Sequence, residues 1–285
     1  MEQKNSDQME VLDCGALIQH GPFNDRIYLM KTAEKSSTEL PKQLIAQAKK
    51  YGYSKIFAKV PKADADDFIK LGFQIEASIP KFYNGTDTAL FLAYYLDEKR
   101  SYEPDLKLYE NNMALAVNRG ETPIPDLDSS KFKLRECDNN DVKPMAEIYK
   151  TVFLSYPFPI HSADYLLETM RSHVDYFCIE TDGEIVALAS AEKDDQSSSW
   201  EMTDFATLPK WRGNGLSVQL LELMGHEAKR RGVKTVYTIA RAASPGMNIT
   251  FAKMGYHFGG RLKNNTNISG KIESMNIWYK HPTKS

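Results

Sequence analysis

Cysteine is scarce in this chain. There are three, Cys14, Cys137 and Cys178, widely spaced and without a Cys-x-x-Cys pair. That spacing argues against a disulfide framework or a zinc knuckle and fits a reducing cytoplasm. No apolar run approaches the ~18 residues that a membrane span needs. The opening Met1-Glu-Gln-Lys-Asn-Ser-Asp-Gln is polar, so no signal peptide is visible. Charge of one sign is lacking as well: Lys plus Arg number 36, Asp plus Glu 38, and the net charge is −2. A whole-molecule basic field for nucleic acid is thereby excluded. The run Lys229-Arg-Arg231 closes a helix, where cations favour the dipole, and no aromatic residues interleave it. The six histidines are scattered, and no pair has metal-ligand spacing. His226 reads as a helix-surface residue, and no metal is expected.

What is present is an ordinary globular composition, 42% hydrophobic and 26% charged over 285 residues. That length suggests about two domains. Residues 119–130, Arg-Gly-Glu-Thr-Pro-Ile-Pro-Asp-Leu-Asp-Ser-Ser, read as a linker between a first domain, 1–118, and a second, 131–285. In the second, Phe132–Cys137 alternates as a strand, and Asp138, three residues before Asp141, is a candidate helix cap. Met145, Ile148, Tyr149 and Val152 follow at helical spacing, and Tyr156-Pro-Phe-Pro breaks that helix. A short helix over 163–173 comes next. Asp182-Gly183 joins two strands as a hairpin, and Ser199–Leu208 is a third. A helix over Leu216–Arg231, a strand over Val233–Ala240, a helix over 245–254 and two strands separated by a polar loop complete the domain. The order is βααβββαβαββ, a mixed α/β sheet.

The chain also repeats itself. Phe68-Ile-Lys-Leu-Gly-Phe73 matches Phe251-Ala-Lys-Met-Gly-Tyr256, and each follows a helix, a glycine and a strand. Residues 23–97 read as a shortened, degenerate copy of the second domain; the alternative is chance similarity of two βαβ segments. Arg212-Gly-Asn-Gly precedes the helix at Leu216, whereas Glu34-Lys-Ser-Ser-Thr-Glu, without glycine, precedes the helix at Leu40. The first domain is therefore expected to lack a phosphate cradle and to do no catalysis.

Arg212-Gly-Asn-Gly215-Leu-Ser217 leaves a strand and opens a helix. A helix N-terminus offers unpaired amides and partial positive charge, which suit a phosphate. No Gly-Lys-[Ser/Thr] follows, so this is not a Walker loop. The third glycine of the dinucleotide fingerprint is absent.

In context, Arg-x-x-Gly-x-[small] after a strand ending in Leu-Pro, then an amphipathic helix, a strand and Phe-x-Lys-Met-Gly-Tyr, resembles the GNAT superfamily of N-acetyltransferases, over about residues 131–280. Within it the chain is most similar to the beta-lysine N-acetyltransferases, through Ser244–Tyr256, Asn264–Gly270 and Glu273–Lys280. The resemblance implies the GNAT fold, a mixed sheet flanked by helices, with a degenerate GNAT-like N-terminal domain. It implies acetyl-CoA as cosubstrate, with the pyrophosphate on the amides of Arg212, Gly213, Asn214, Gly215 and Ser217. Ser217 replaces the usual Gly or Ala, a small change. Phe251 stands where many relatives have a tyrosine acid. A thiol pKa of ~8.5 lets the CoA thiolate leave without strict need of a proton, at a modest cost in rate or with another donor in that role.

The implied reaction is acetyl transfer to a primary amine. An ammonium of pKa ~10.4 must first lose a proton, to a carboxylate or through water. The resemblance favours Glu201 as that base, with Asp204 as the alternative; either is otherwise a surface carboxylate. Strand alternation puts these two on opposite faces. The oxyanion donor is expected among the backbone amides of Ala206, Thr207 and Leu208. Ser244 either touches the pantetheine arm or caps the helix before Pro245. Arg241 is a candidate clamp for a substrate carboxylate, or a surface arginine. Tyr156 faces the acceptor or packs in the core. Asn264, Asn265 and Asn267 offer amides to the substrate or form a turn.

The expected function is acetylation of a small diamino acid, beta-lysine, giving a zwitterionic N-acetyl-beta-lysine suited to be a compatible solute. Another amine (a polyamine, an antibiotic, a protein lysine) and a non-catalytic acyl-CoA-binding module are the alternatives. The expected partner is a small-molecule amine, with no nucleic acid or membrane; monomer and homodimer remain open.

Overall fold

The computed structural model describes residues 7–32, 38–124 and 126–282. The polar Met1–Ser6 segment, most of the Glu34–Glu39 segment and Pro125 of the linker therefore lie outside the described residues in whole or in part. The elements are β1 (Gln8–Val11), β2 (Leu17–Gly21), β3 (Arg26–Lys31), α1 (Leu40–Tyr51), β4 (Lys55–Pro61), α2 (Ala65–Lys70), β5 (Gln74–Tyr83), β6 (Asp87–Tyr95) and α3 (Leu106–Arg119). There follow β7 (Lys133–Glu136), α4 (Val142–Val152), α5 (Ala163–Ser172), β8 (Val174–Thr181), β9 (Glu184–Asp194), β10 (Ser199–Thr207), α6 (Leu216–Arg230), β11 (Thr235–Arg241), α7 (Pro245–Lys253), β12 (His257–Ile268) and β13 (Lys271–Lys280). After residue 131 the order is the expected βααβββαβαββ.

Local chemistry explains the main boundaries. Asp182 and Gly183 both take positive φ, 52° and 79°, the conformation a two-residue hairpin turn needs. On α6, Leu216, Leu220, Leu221, Met224 and Ala228 form one buried face. Gly52, at φ 73°, ends α1 in the left-handed conformation. Asp141, not Asp138, holds the N-cap position of α4. Its carboxylate accepts from the Asp138 amide and from Arg135, so it ties the β7–α4 turn to the sheet.

All strands of the described residues join one sheet, in the order β1-β2-β3-β4-β6-β5-β12-β13-β11-β10-β9-β8-β7. Reading inward from each end, β2-β3-β4-β6-β5 and β9-β10-β11-β13-β12 have the same succession. Each run contains one parallel pair, β3 with β4 and β10 with β11. A helix, α1 or α6, makes each parallel crossover.

The seam between the two runs is β5 against β12, with Ala77 opposite Gly260. A Cβ on Gly260 would lie 2.3 Å from the Glu76 carbonyl oxygen and 2.5 Å from the Ala77 Cα, so glycine permits this approach. Here the sequence reading needs correction. The asparagine-rich stretch expected to be a loop belongs to β12. Its side chains hold the N-terminal half: Asn264 donates to the carbonyls of Arg100 and Tyr102, and Asn267 to that of Phe23. Lys55 and Glu76 form a buried ion pair at 2.9 Å beside them, and Lys55 also donates to the Lys263 carbonyl.

The sheet curls. Lys31 of β3 reaches Asp194 of β9 at 3.2 Å, although seven strands lie between them. The helices α1 and α2 cover one face of the N-terminal half through Leu40, Leu44, Ala48 and Phe68. The helices α6 and α7 cover the C-terminal half. The remaining faces turn toward each other, so Tyr28, Phe57 and Phe91 share a core with Tyr237, Ile277, Met145 and Tyr149. Among the described residues no helix is long and apolar enough to cross a membrane.

Candidate active site

Between the facing halves lies a cavity of about 1200 Å³. Its origin is a divergence of strands. β10 and β11 pair in parallel only from Ser199 to Glu201, opposite Thr235 to Tyr237. Beyond that they separate, and Thr203, Phe205 and Thr207 face Thr238, Ile239 and Ala240 across the wedge.

At one end is the turn into α6. Gly213 and Gly215 take φ 84° and 72°, and a Cβ on either would meet only open space. They are glycines for their backbone conformation. The wall here includes Arg212, Gly213, Gly215 and Ser217, and beyond them Ser244 and Phe251. The side-chain amide of Asn214 instead donates to the Trp211 carbonyl at 3.0 Å and closes the turn. Ser244 holds the N-cap position of α7 without a side-chain capping bond, so its hydroxyl is not spent on the helix. Phe251 is buried, edge-on to Phe205 and Tyr256.

At the centre are the carboxylates. Glu201 and Asp204 were expected on opposite faces, but both line the cavity. The cause is a bulge in β10 between Thr203 and Ala206, with Asp204 at φ 54°. The extra residue breaks the alternation and re-aims the side chain. The ladder is back in register at Ala206 and Thr207, and the Leu208 amide donates to the Val186 carbonyl at 3.0 Å. Ala206 is buried in the core and, like Leu208, is absent from the cavity wall, while Thr207 lines it. The interruption therefore falls at Asp204 and Phe205, just before the stretch expected to carry the oxyanion donor.

The two carboxylates differ in their partners. Asp204 accepts from the Tyr156 hydroxyl and from Ser190 Oγ at 2.6 Å, which fixes it in place. Tyr156 is buried and spends its hydroxyl on that bond. Glu201 accepts from the Tyr237 hydroxyl, to which Lys59 Nζ donates at 3.4 Å. Burial, and then the Glu192 carboxylate, push the Glu201 carboxyl up to about 8, against the pull of Lys59 and Tyr237. A carboxyl titrating there suits a base working near neutral pH.

Arg241 lines the cavity, but its Nε and Nη2 already grip Glu273 at 2.9 and 2.8 Å. Glu273 is only 1% exposed. The fork expected to hold a substrate carboxylate is thus spent within the fold. The sequence reading missed the opposite wall: Arg26 and Tyr28 of β3, and Phe57 and Lys59 of β4. The available signal was a charge and an aromatic residue two apart on each strand, hence on one face. Asn265, also on the wall, has a buried side-chain oxygen without a partner. Among the described residues no cluster has the makings of a metal site.

Residues 142–256 match the family described as Acetyltransferase (GNAT) family. The chain is 40% identical to the beta-lysine N(6)-acetyltransferase of Methanococcus maripaludis, over 93% of this chain and 96% of that protein. It is 33% identical to the enzyme of the same name from Methanosarcina mazei, over 79% and 90%. It is 30% identical to the N-acetyltransferase YodP of Bacillus subtilis, over 93% and 95%.

Proposed function

Because this chain belongs to the GNAT acetyltransferase family, we propose that its cavity transfers the acetyl group of acetyl-CoA to the terminal amine, N6, of beta-lysine. The observation that carries this reading is the charge layout of one cavity. Glu192, Glu201 and Asp204 lie on one wall, and Arg26 and Lys59 on the other. A diamino acid brings both ammonium and carboxylate groups and so matches both walls.

The glycine turn before α6 would hold the pyrophosphate, with Arg212 adding charge. The wedge between β10 and β11 would take the pantetheine arm, past Ser244 and Phe251. Glu201 takes the proton of the substrate ammonium, directly or through water, and the freed amine attacks the thioester carbonyl. The C–N bond forms, the C–S bond breaks, the sulfur leaves as a thiolate, and the second proton of the attacking nitrogen passes to that thiolate or to water. Phe251 cannot protonate the sulfur, and a thiol of pKa ~8.5 needs little help. Backbone amides at the β10 bulge would meet the oxyanion. Asp204, held by Tyr156 and Ser190, shapes the acceptor side and is less free to take a proton.

The N-terminal half reads as a shortened copy of the catalytic fold that supplies a wall of the cavity. The three free cysteines fit a cytoplasmic setting. The product would keep a carboxylate and one ammonium, a zwitterion suited to a compatible solute.

The test is CoA release from acetyl-CoA across beta-lysine, lysine, spermidine, an aminoglycoside and a lysine peptide, with mass spectrometry and NMR of the product. Preferred turnover of beta-lysine with acetyl on N6 is the expected result. Preference for any other amine overturns the substrate, and binding of acetyl-CoA without turnover overturns the enzyme reading.

A further inference from the structure

The N-terminal half contributes an arginine whose bonding is incomplete. Arg26 is 4% exposed, lines the cavity, and sits against the rings of Tyr28 and Phe57 at 5.4 and 5.5 Å. Its Nη1 donates to the Asn265 carbonyl and to Thr266 Oγ1. Its Nε is buried without an acceptor. Among the described residues no carboxylate forms an ion pair with it: Asp7, also on the cavity wall, acts on it only at longer range and accepts from Asn24 instead. Burial lowers its pKa to about 10, which still leaves it charged at neutral pH. A buried guanidinium with no anion in contact is costly, so the site is built to receive one.

The free edge has a definite shape. Nε and Nη2 form the side-on fork that binds carboxylate in two parallel bonds. Arg241 uses that edge on both oxygens of Glu273, and Arg135 turns it on a single oxygen of Glu180. Arg26, which lines the cavity, alone of these three has no carboxylate on that edge. Next to it, Asn265 offers its backbone carbonyl to Arg26 and leaves its side-chain Oδ1 buried and without a donor. The pair thus lacks one anionic acceptor and one donor, side by side.

We propose that Arg26 binds the carboxylate of the acceptor and Asn265 Oδ1 accepts from its neighbouring 3-ammonium. Arg26 of the N-terminal half and Asn265 of β12 together then select a beta-amino acid and direct the far amine to Glu201. This rests on the beta-lysine reading above and explains why N6, not the 3-amino group, would be acetylated. A carboxylate on the fork and an ammonium on the amide oxygen satisfy both orphaned atoms at once.

The experiment compares matched substrates. Pentane-1,4-diamine is beta-lysine without its carboxylate, 6-aminohexanoate is beta-lysine without its 3-amino group, and cadaverine is lysine without its carboxylate. Wild type should prefer beta-lysine to both of its truncated forms. Arg26→Met should lower the preference for beta-lysine over pentane-1,4-diamine roughly 30- to 100-fold, through KM, and Arg26→Lys should lower it less. Asn265→Leu should erase the preference for beta-lysine over 6-aminohexanoate. A proportional fall on both members of each pair would mean a structural role and overturn the proposal. Should wild type not accept beta-lysine, the substrate reading fails. Arg26 is then judged on lysine against cadaverine, where an unchanged ratio, or no turnover of either, overturns it.

Discussion

Glu192 on β9 stands directly opposite Glu201 on β10, and both side chains line the cavity. Like charges paired across a ladder repel, and here water is largely excluded. Burial first, and this neighbour second, raise the Glu201 carboxyl to about 8. Glu192 is itself raised, by burial above all, with Lys59 and His173 offsetting part of the effect. An arriving ammonium relieves the repulsion. That fits the proposed role, in which the site takes up an ammonium and Glu201 removes its proton.

Replacing Glu192 with Gln removes that repulsion. The alkaline rise in kcat/KM should then move to lower pH by about one unit. Stability should respond too. Both carboxyls bind protons more tightly folded than unfolded, so ionising them lowers stability as pH rises from the unfolded value toward the folded one. Glu192→Gln should therefore raise Tm little at about pH 5 and more at about pH 9. Thermal unfolding across pH checks the sign.

The seam depends on a position with no room for a side chain. Gly260→Ala puts a Cβ against the backbone of Glu76 and Ala77, at φ 140°. Neither atom is the end of a flexible side chain, so β5 and β12 must part. Urea unfolding should show a loss of about 3 kcal/mol or more. Turnover should fall with it, because the cavity needs both halves.

Arg241 is predicted to act on the fold. Arg241→Met strands the carboxylate of Glu273, which is 1% exposed, and should cost about 2–3 kcal/mol. Pairing it with Glu273→Leu should recover most of that loss, as a double-mutant cycle by chemical denaturation would show. The preference for beta-lysine over pentane-1,4-diamine should survive in the double variant.

Much of the C-terminal half was legible because its signals are local. Asp182-Gly183 can form a tight hairpin by itself, and the stripe from Leu216 to Ala228 sets α6 without reference to the rest. The motif ending at Ser217 placed the turn into α6, and residues there and at Glu201 do share a cavity. What escaped was non-local. The bulge that turns Asp204 inward depends on how β10 meets β9. The stretch Asn264–Asn267 reads as a loop until the N-terminal half brings backbone groups to its amides. Arg241 reads as a clamp until β13 brings Glu273 against it. Arg26 reads as an ordinary strand residue until the sheet curls and makes it part of the cavity wall.

The most direct test of the account is the pH dependence of kcat/KM for beta-lysine in wild type and Glu201→Gln. Wild type should rise through an apparent pKa near about 8, the value at which Glu201 ionises. The variant should lose roughly 100-fold or more at neutral pH and rise only as the substrate amine itself deprotonates, near ~10. A variant with nearly wild-type turnover, or with the same limb near 8, would show that Glu201 is not the group that takes the proton.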